Sequence, residues 1–403
     1  MAKEIYLDNA AATPIDGRVK KEMARVFNIY ANPSSFNDAG RRARKEINTA
    51  RVKVGRFLGA HPEEIFFMGS ASEANNTAIA GTAKIPGKGE WEILTTPIEH
   101  LSVLEPIKSL APKFRAVFLK VNNEGVVDLH DLKQKLSLKT FLISIMYANN
   151  EIGTIEPIKK IAKVIRDFKK EIGSEIYPLF HTDACQAAEY LDVNVNNLGA
   201  DLLTFNGSKI YGPRGIGVLY VRKGTLIAPL IFGGEHERGL RAGTENLPAI
   251  VGLAKAVELI PNEAAKARSA SLSRTGLINP KESRKVAVLR DYFLKKIIEK
   301  MPEIKINGAL GGGRLPNNIN ISIPGTNSEK LLLELDKYEI RAGSGSACAS
   351  HAVEPSHVLK AIGVKESYIN GVLRFSLGRR TTKKDTEYVL KILQKIVKKA
   401  KRT

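Results

Sequence analysis

"DLLTFNGSKIYGPRG", Asp201 to Gly215, runs from a short apolar stretch into a glycine-rich turn that carries one lysine, Lys209. Leu, Thr and Phe followed by Asn-Gly read as a strand that stops at a turn. A lone lysine beside glycine is usually a solvated loop residue, so its meaning depends on what the chain gathers around it. Just upstream, "YPLFHTDACQ", Tyr177 to Gln186, is a second apolar strand that ends in an acid, Asp183. Ligands of parallel sheets sit beyond the carboxyl ends of strands, so two neighbours ending together would point a carboxylate and an amine into one crevice. For that pair alone, an ion pair is the ordinary outcome.

A third loop changes the weighing. "MGSASEANN", Met68 to Asn76, sets Gly69, Ser70, Ala71 and Ser72 ahead of a helix whose first turn holds Glu73. Free N–H groups and small hydroxyls at a helix start suit an anion, although N-capping is their commoner use. An amine, a carboxylate and an anion cradle together meet the demands of pyridoxal 5′-phosphate. That cofactor takes a Schiff-base lysine, an acid that keeps its pyridine nitrogen protonated, and donors for its phosphate.

Outward from these loops, short apolar runs alternate with helix-period segments. "EIFFM", "EILTT", "FRAVFLKV", "TFLISIMY" and "GVLYVRK" read as further strands, and "ASEANNTAIAGTAK" and "EPIKKIAKVIRDFKKEI" as helices between them. Alternation of this kind predicts an α/β domain with a mostly parallel sheet covered on both faces. After "ENLPAIVGLAKAVELIPNEAAKA" the stretch "RSASLSRTGLINPKESRK" loses apolar periodicity and reads as a surface loop. Strands "NNINISI", "YEIRAG" and "GVLRFSL" with helices "SEKLLLELDK", "PSHVLKAI" and "KKDTEYVLKILQKIVKK" then form a smaller α+β unit. The expected division is a large domain over 15–261 and a small one made of 1–14 and 262–403.

Composition bounds the rest. The chain has 403 residues, 43% of them hydrophobic, enough for a large core and a second smaller one. It lacks a run of ~18 uninterrupted apolar residues and a secretory-type start, which predicts a cytoplasmic protein without membrane partners. Two cysteines, Cys185 and Cys348, give neither a disulfide framework nor zinc-ligand spacing. The net charge of +20 would attract acidic proteins or nucleic acid. The dense patches, "GRRARKEINTARVK" and "KILQKIVKKAKRT", have helical spacing and read as solvated helix faces.

The ordered motifs "YLDNAAATP", "NPSSFNDAGRRARKEINTAR", "IEHLSVL", "YANNEIGTIEPI", "HTDACQA", "GSKIYGPRGIGVLYV", "GGEHERGLRAGTEN" and "GSACAS…EPSHVLKAIG…LRFSLGR" resemble the NifS/IscS-like cysteine desulfurases of the class V aminotransferase family. These are fold-type I pyridoxal-phosphate enzymes, and the resemblance extends from about residue 5 to about 382. It implies a large domain with a mostly parallel seven-stranded sheet between helices, plus a smaller α+β domain, in a homodimer. Lys209 would hold the cofactor, Asp183 its pyridine nitrogen, and His100 its ring face. Asn150 and Gln186 would reach its phenolic oxygen. Ala71 and Ser72 would hold its phosphate, and Thr244 that of the neighbouring subunit. Arg374 would clamp the substrate carboxylate, with Asn150 beside it.

Cys348 indicates the reaction type. Its surroundings, "RAGSGSACASHAVEP", are poor in apolar anchors, which favours an accessible thiol over a packed one. The resemblance implies that this thiol takes sulfur from L-cysteine, leaves L-alanine, and passes the sulfur to an iron-sulfur scaffold or a tRNA-thiolation enzyme. Lys209 would act as base and His100 as acid, with Cys185 packed and inert. The chain departs from the family where Asn206 and Ser208 stand in place of the usual phosphate-contacting serine and histidine; both can still donate hydrogen bonds to the cofactor's phosphate, without a positive partner for it. An aminotransferase or selenocysteine lyase would share Lys209 and Asp183, and a basic RNA-binding scaffold would need none of the set.

Overall fold

The computed structural model describes residues 4–85, 87, 89–260, 280–345 and 355–400. Its strands are β1 (Ile5–Tyr6), β2 (Ile65–Met68), β3 (Trp91–Thr95), β4 (Phe114–Phe118), β5 (Thr140–Ser144), β6 (Leu179–Asp183), β7 (Leu202–Asn206), β8 (Gly217–Val221), β9 (Lys305–Ile306), β10 (Asn318–Ser322), β11 (Ile340–Arg341) and β12 (Val372–Ser376).

Seven of them form one sheet in the order β2-β8-β7-β6-β5-β3-β4. Only β8 runs against its neighbours, pairing antiparallel with both β2 and β7. Every residue of β5, β6 and β8 is buried, the pattern of a sheet covered on both faces. Helices Gly17–Val26, Asp38–Leu58, Ile158–Glu171 and Leu247–Glu258 cover one face. Ile158, Ile161, Ala162 and Ile165 show how: their 3- and 4-residue spacing makes one apolar stripe on an otherwise charged helix. The other face packs under Ala74, Ala78, Val103 and Ile107.

A second core gathers Leu7, Phe293, Ile321, Phe375 and Leu393. Its sheet is antiparallel, β12-β10-β9, and β1 pairs parallel with β11 beside it. The N-terminal segment thus joins a core built mainly from the C-terminal part of the chain. Leu315 crosses the other way and packs in the large sheet's core. The expected division at 261/262 lies outside the described residues.

Three readings are corrected. The stretch taken as a surface loop up to Lys285 becomes helical at Pro280, because Pro280–Lys300 is one helix. Its buried stripe of Ser283, Val286, Arg290, Phe293 and Ile297 contains a serine and an arginine, which hid the period. Arg290 earns that place by donating to the carbonyls of Arg314 and Leu315 at 3.0 and 2.8 Å. The helix read over 71–84 is α-helical only over Ala71–Asn76 and widens to a π-turn over Thr77–Gly81. Finally, the helix Asp38–Leu58 is not wholly a solvated basic face. Arg51 is buried and bonds both oxygens of Glu237 at 2.7 Å.

Candidate active site

The parallel register of β6 and β7 brings their carboxyl ends together, and with them Asp183 and the turn Gly207–Lys209. The loops after β2, β3 and β5 reach the same rim and add Ser70 to Ser72, His100 and Asn150. Together these loops enclose one open cleft. Lys209, Asp183, His100, Asn150, Gln186, Ala71, Ser72, Asn206 and Arg374 all line it.

The anion cradle is built by close approach. Ser70 caps the helix Ala71–Asn76 by accepting from Glu73 N at 3.0 Å, and the Glu73 carboxylate accepts from Gly69 N at 2.8 Å and Arg241 Nε at 2.8 Å. Those contacts leave the first N–H groups of the helix, on Ala71 and Ser72, as its orphan donors. Across from them Gly217 pairs with Asn206, and a Cβ at 217 would lie only 2.4 Å from Ser70 O and 2.8 Å from Ala71 N. Glycine there keeps β8 pressed against the helix start while Asn206 faces the opening. Ser208 does not line the cleft; its hydroxyl lies 3.4 Å from Asn206 Oδ1. Thr244 is exposed and outside it.

The N-terminal segment locks the lysine turn. Thr13 bonds Ser208 O through both N and Oγ1, at 2.8 and 3.0 Å, and accepts from Tyr211 N at 2.8 Å. Lys209 Nζ donates to Ala11 O, and Gln186 Nε2 donates to Ala10 O at 3.0 Å. These alanines were quoted in "YLDNAAATP" without a role. Their signal is invisible in side chains because they act through backbone carbonyls.

Asp183 Oδ1 accepts from Cys185 N at 2.9 Å and Oδ2 from Asn75 Nδ2 at 2.7 Å. Each oxygen keeps a second lone pair for a cationic ring nitrogen. His100 Nδ1 accepts from Ser102 N at 3.1 Å, so the neutral ring carries its proton on Nε2. Burial holds that imidazole below its ordinary pKa, partly countered by the Asp183 charge. Cys185 lines the cleft rather than packing away from it, but burial and Asp183 raise its thiol pKa well above the usual value.

Arg374 is 1% exposed. Its Nη2 pairs with Asp8 Oδ1 at 2.8 Å and its Nη1 donates to Asn150 O at 3.1 Å, while Nε has no partner among the described residues. A buried, unsatisfied guanidinium N–H at a cleft wall suits an anionic group such as a carboxylate. Asp8 was not read from the sequence. Cys348 lies outside the described residues.

These groups fit pyridoxal 5′-phosphate: an amine, a carboxylate with lone pairs to spare, a neutral imidazole and a helix start with two orphan N–H groups. Residues 5–389 match the family described as aminotransferase class-V. A cysteine desulfurase IscS from Dictyoglomus turgidum is 43% identical over 402 residues, 99% of this chain and 96% of that protein. Among solved structures, a NifS-like protein superposes with a TM-score of 0.85 at 34% identity, covering 98% of this chain and all of that one. Another, titled SspA in complex with cysteine, has a TM-score of 0.77 at 32% identity, over 94% of this chain and all of that one.

Proposed function

We infer a division of labour among the cleft residues from the premise that this chain belongs to the aminotransferase class-V family and is a pyridoxal 5′-phosphate-dependent cysteine desulfurase. When bound, the cofactor supplies an electron sink next to the substrate's Cα and Cβ. Lys209 would hold it by its amine, Asp183 by its pyridine nitrogen, and His100 against its ring. Asn150 and Gln186 would bond its phenolic oxygen. Ala71, Ser72 and Asn206 would take its phosphate, with Ser208 steadying Asn206.

The chain's residues then divide the work. Arg374, fixed by Asp8 and Asn150 O, offers Nε–H to the substrate carboxylate and so aims Cα at Lys209. Lys209 Nζ takes the Cα proton. The Cys348 thiolate forms a bond to the substrate sulfur as the substrate's Cβ–S bond breaks; the electron pair left at Cβ takes a proton, Lys209 Nζ returns its proton to Cα, and L-alanine leaves. His100 Nε2–H is the acid placed for a proton delivery of this kind. Cys348 is left as a persulfide, which an acceptor's thiol collects.

The observation that carries this reading is the convergence of Lys209, Asp183, His100 and Arg374 on one cleft. The proposal extends to a homodimer in which exposed Thr244 reaches the neighbour's phosphate, and to a small domain of 1–14 and 262–403 that carries Cys348. It extends also to an iron-sulfur scaffold or tRNA-thiolation enzyme as acceptor in the cytoplasm. Among the described residues no helix is long and apolar enough to cross a membrane. The test is incubation of cofactor-loaded protein with L-cysteine and a thiol acceptor. Equimolar alanine and transferred sulfur are expected, and undiminished sulfur transfer by Cys348→Ala would sink the reading.

A further inference from the structure

Asn75 sits at the end of the helix Ala71–Asn76, fully buried, and its side chain meets two other elements at once. Its Nδ2 donates to Asp183 Oδ2 at the end of β6, at 2.7 Å, and to Ser102 Oγ in the helix Leu101–Ser109, at 2.9 Å. Ser102 Oγ lies 2.7 Å from His100 Nδ1. Because Nδ1 already accepts from Ser102 N, the hydroxyl hydrogen points to it as well, and donation runs outward from Asn75, to the carboxylate on one side and through Ser102 to the imidazole on the other.

The amide has only one workable orientation. Flipping it would set Oδ1 against the Asp183 carboxylate, acceptor against acceptor. The orientation adopted leaves Asn75 Oδ1 buried with no partner among the described residues. An orphaned carbonyl is costly, and a residue that only filled space here would be apolar. The side chain accepts that cost to keep both amide hydrogens on the two groups that face the cofactor position.

We propose that Asn75 is a positioning residue that ties the orientation of His100 to the Asp183 carboxylate through Ser102. The proposal rests on the functional reading above, since Asp183 and His100 matter together only if one ring lies between them. Asn75 moves no proton. It holds the Asp183 oxygen that the Cys185 N–H does not, and it commits the Ser102 hydroxyl to His100 Nδ1, which the Ser102 backbone N–H already makes an acceptor.

The experiment compares the wild type, Asn75→Ala and Ser102→Ala. Histidine-selective ¹⁵N NMR of the cofactor-free protein reads the hydrogen bonding at His100 Nδ1. The visible spectrum and dissociation constant of added pyridoxal 5′-phosphate read the Asp183 side. In wild type the Nε2–H form is expected. Asn75→Ala should loosen the Ser102 hydroxyl and so shift the Nδ1 resonance, shift the visible maximum, and weaken cofactor binding by about tenfold, the loss of one charge-assisted hydrogen bond. Ser102→Ala should change the imidazole pattern and leave the visible maximum in place. A wild type that shows no visible band with the cofactor would defeat the functional reading. A normal wild type with an unchanged imidazole pattern and spectrum in Asn75→Ala, whatever its melting temperature, would defeat this inference. If Asn75→Ala does not fold, an unaltered imidazole pattern in Ser102→Ala does the same.

Discussion

Gly343 and Arg374 are joined by a two-way backbone bridge: Gly343 N donates to Arg374 O at 3.0 Å, and Arg374 N donates to Gly343 O at 2.6 Å. A Cβ at 343 would lie 2.9 Å from Arg374 Nη2 and 3.0 Å from Asp8 Oδ1. Glycine therefore lets the backbone at 343 lie directly against the Asp8–Arg374 ion pair. Gly343→Ala is expected to raise KM for L-cysteine while the cofactor's visible band persists. An unchanged KM would show that the pair has room to shift.

Arg374 is held at its Nη atoms and, among the described residues, has no partner at Nε, a geometry that a lysine's single ammonium cannot copy. Arg374→Lys should lower kcat/KM by roughly 10- to 100-fold, the worth of one charged hydrogen bond, chiefly through KM. Steady-state kinetics with L-cysteine measure it. Asp8→Asn should show the same direction with a smaller effect, because Nη2 keeps a neutral acceptor.

The two cysteines should behave oppositely. Cys185 lies in the cleft, but burial and Asp183 keep its thiol protonated, so Cys185→Ala should retain most turnover. Cys348→Ala should lose sulfur transfer and keep the visible band. Alanine and sulfide assays on both variants check this, and comparable losses from either would assign the transfer to the wrong thiol.

Buried acids make the fold sensitive to pH. Burial pushes Glu156 from 4.5 up to about 8, with Val127 N the one donor opposing it. The folded state therefore binds more protons than the unfolded chain between those values. The stabilisation it confers is full below pH 4.5 and is lost as pH rises toward 8. Glu156→Gln should flatten that decline in urea melts run from pH 5 to 9, and a parallel decline in both proteins would exonerate Glu156. On the acid side, burial lowers His181 to about 4, so its contribution is full above 6.5 and lost as pH falls toward 4.

Arg51 and Glu237 form a buried pair whose acid also accepts from Phe67 N at 2.8 Å. Glu237→Ala would strand the guanidinium, at a cost of about 3–5 kcal/mol. Denaturant midpoints measure it. A loss below about 1 kcal/mol would mean that Arg51 finds water instead.

Much of the site was legible because its chemistry is carried by side chains at strand ends. Asp183, Lys209 and the Ser70–Ser72 loop each follow an apolar run, and the crevice rule for parallel sheets predicts where such residues meet. Asn75 and Ser102 were passed over because a buried amide and a hydroxyl beside a histidine look like ordinary helix residues until their partners are known. Asp8 was hidden for a similar reason: its partner, Arg374, is 366 residues away. The helix Pro280–Lys300 was missed in part because Ser283 and Arg290 interrupt its apolar stripe, although both are buried.

Read alone, the amino-acid order determined which segments become strands and helices and which reactive groups stand at their ends, since periodicity and turn chemistry are local properties. The tertiary structure alone decided that β8 runs antiparallel between β2 and β7, that Ala10 and Ala11 present their carbonyls to Gln186 and Lys209, and that one asparagine links Asp183 to Ser102. Those are contacts between distant parts of the chain. They are set by the packing of whole elements against each other, and no local pattern encodes them.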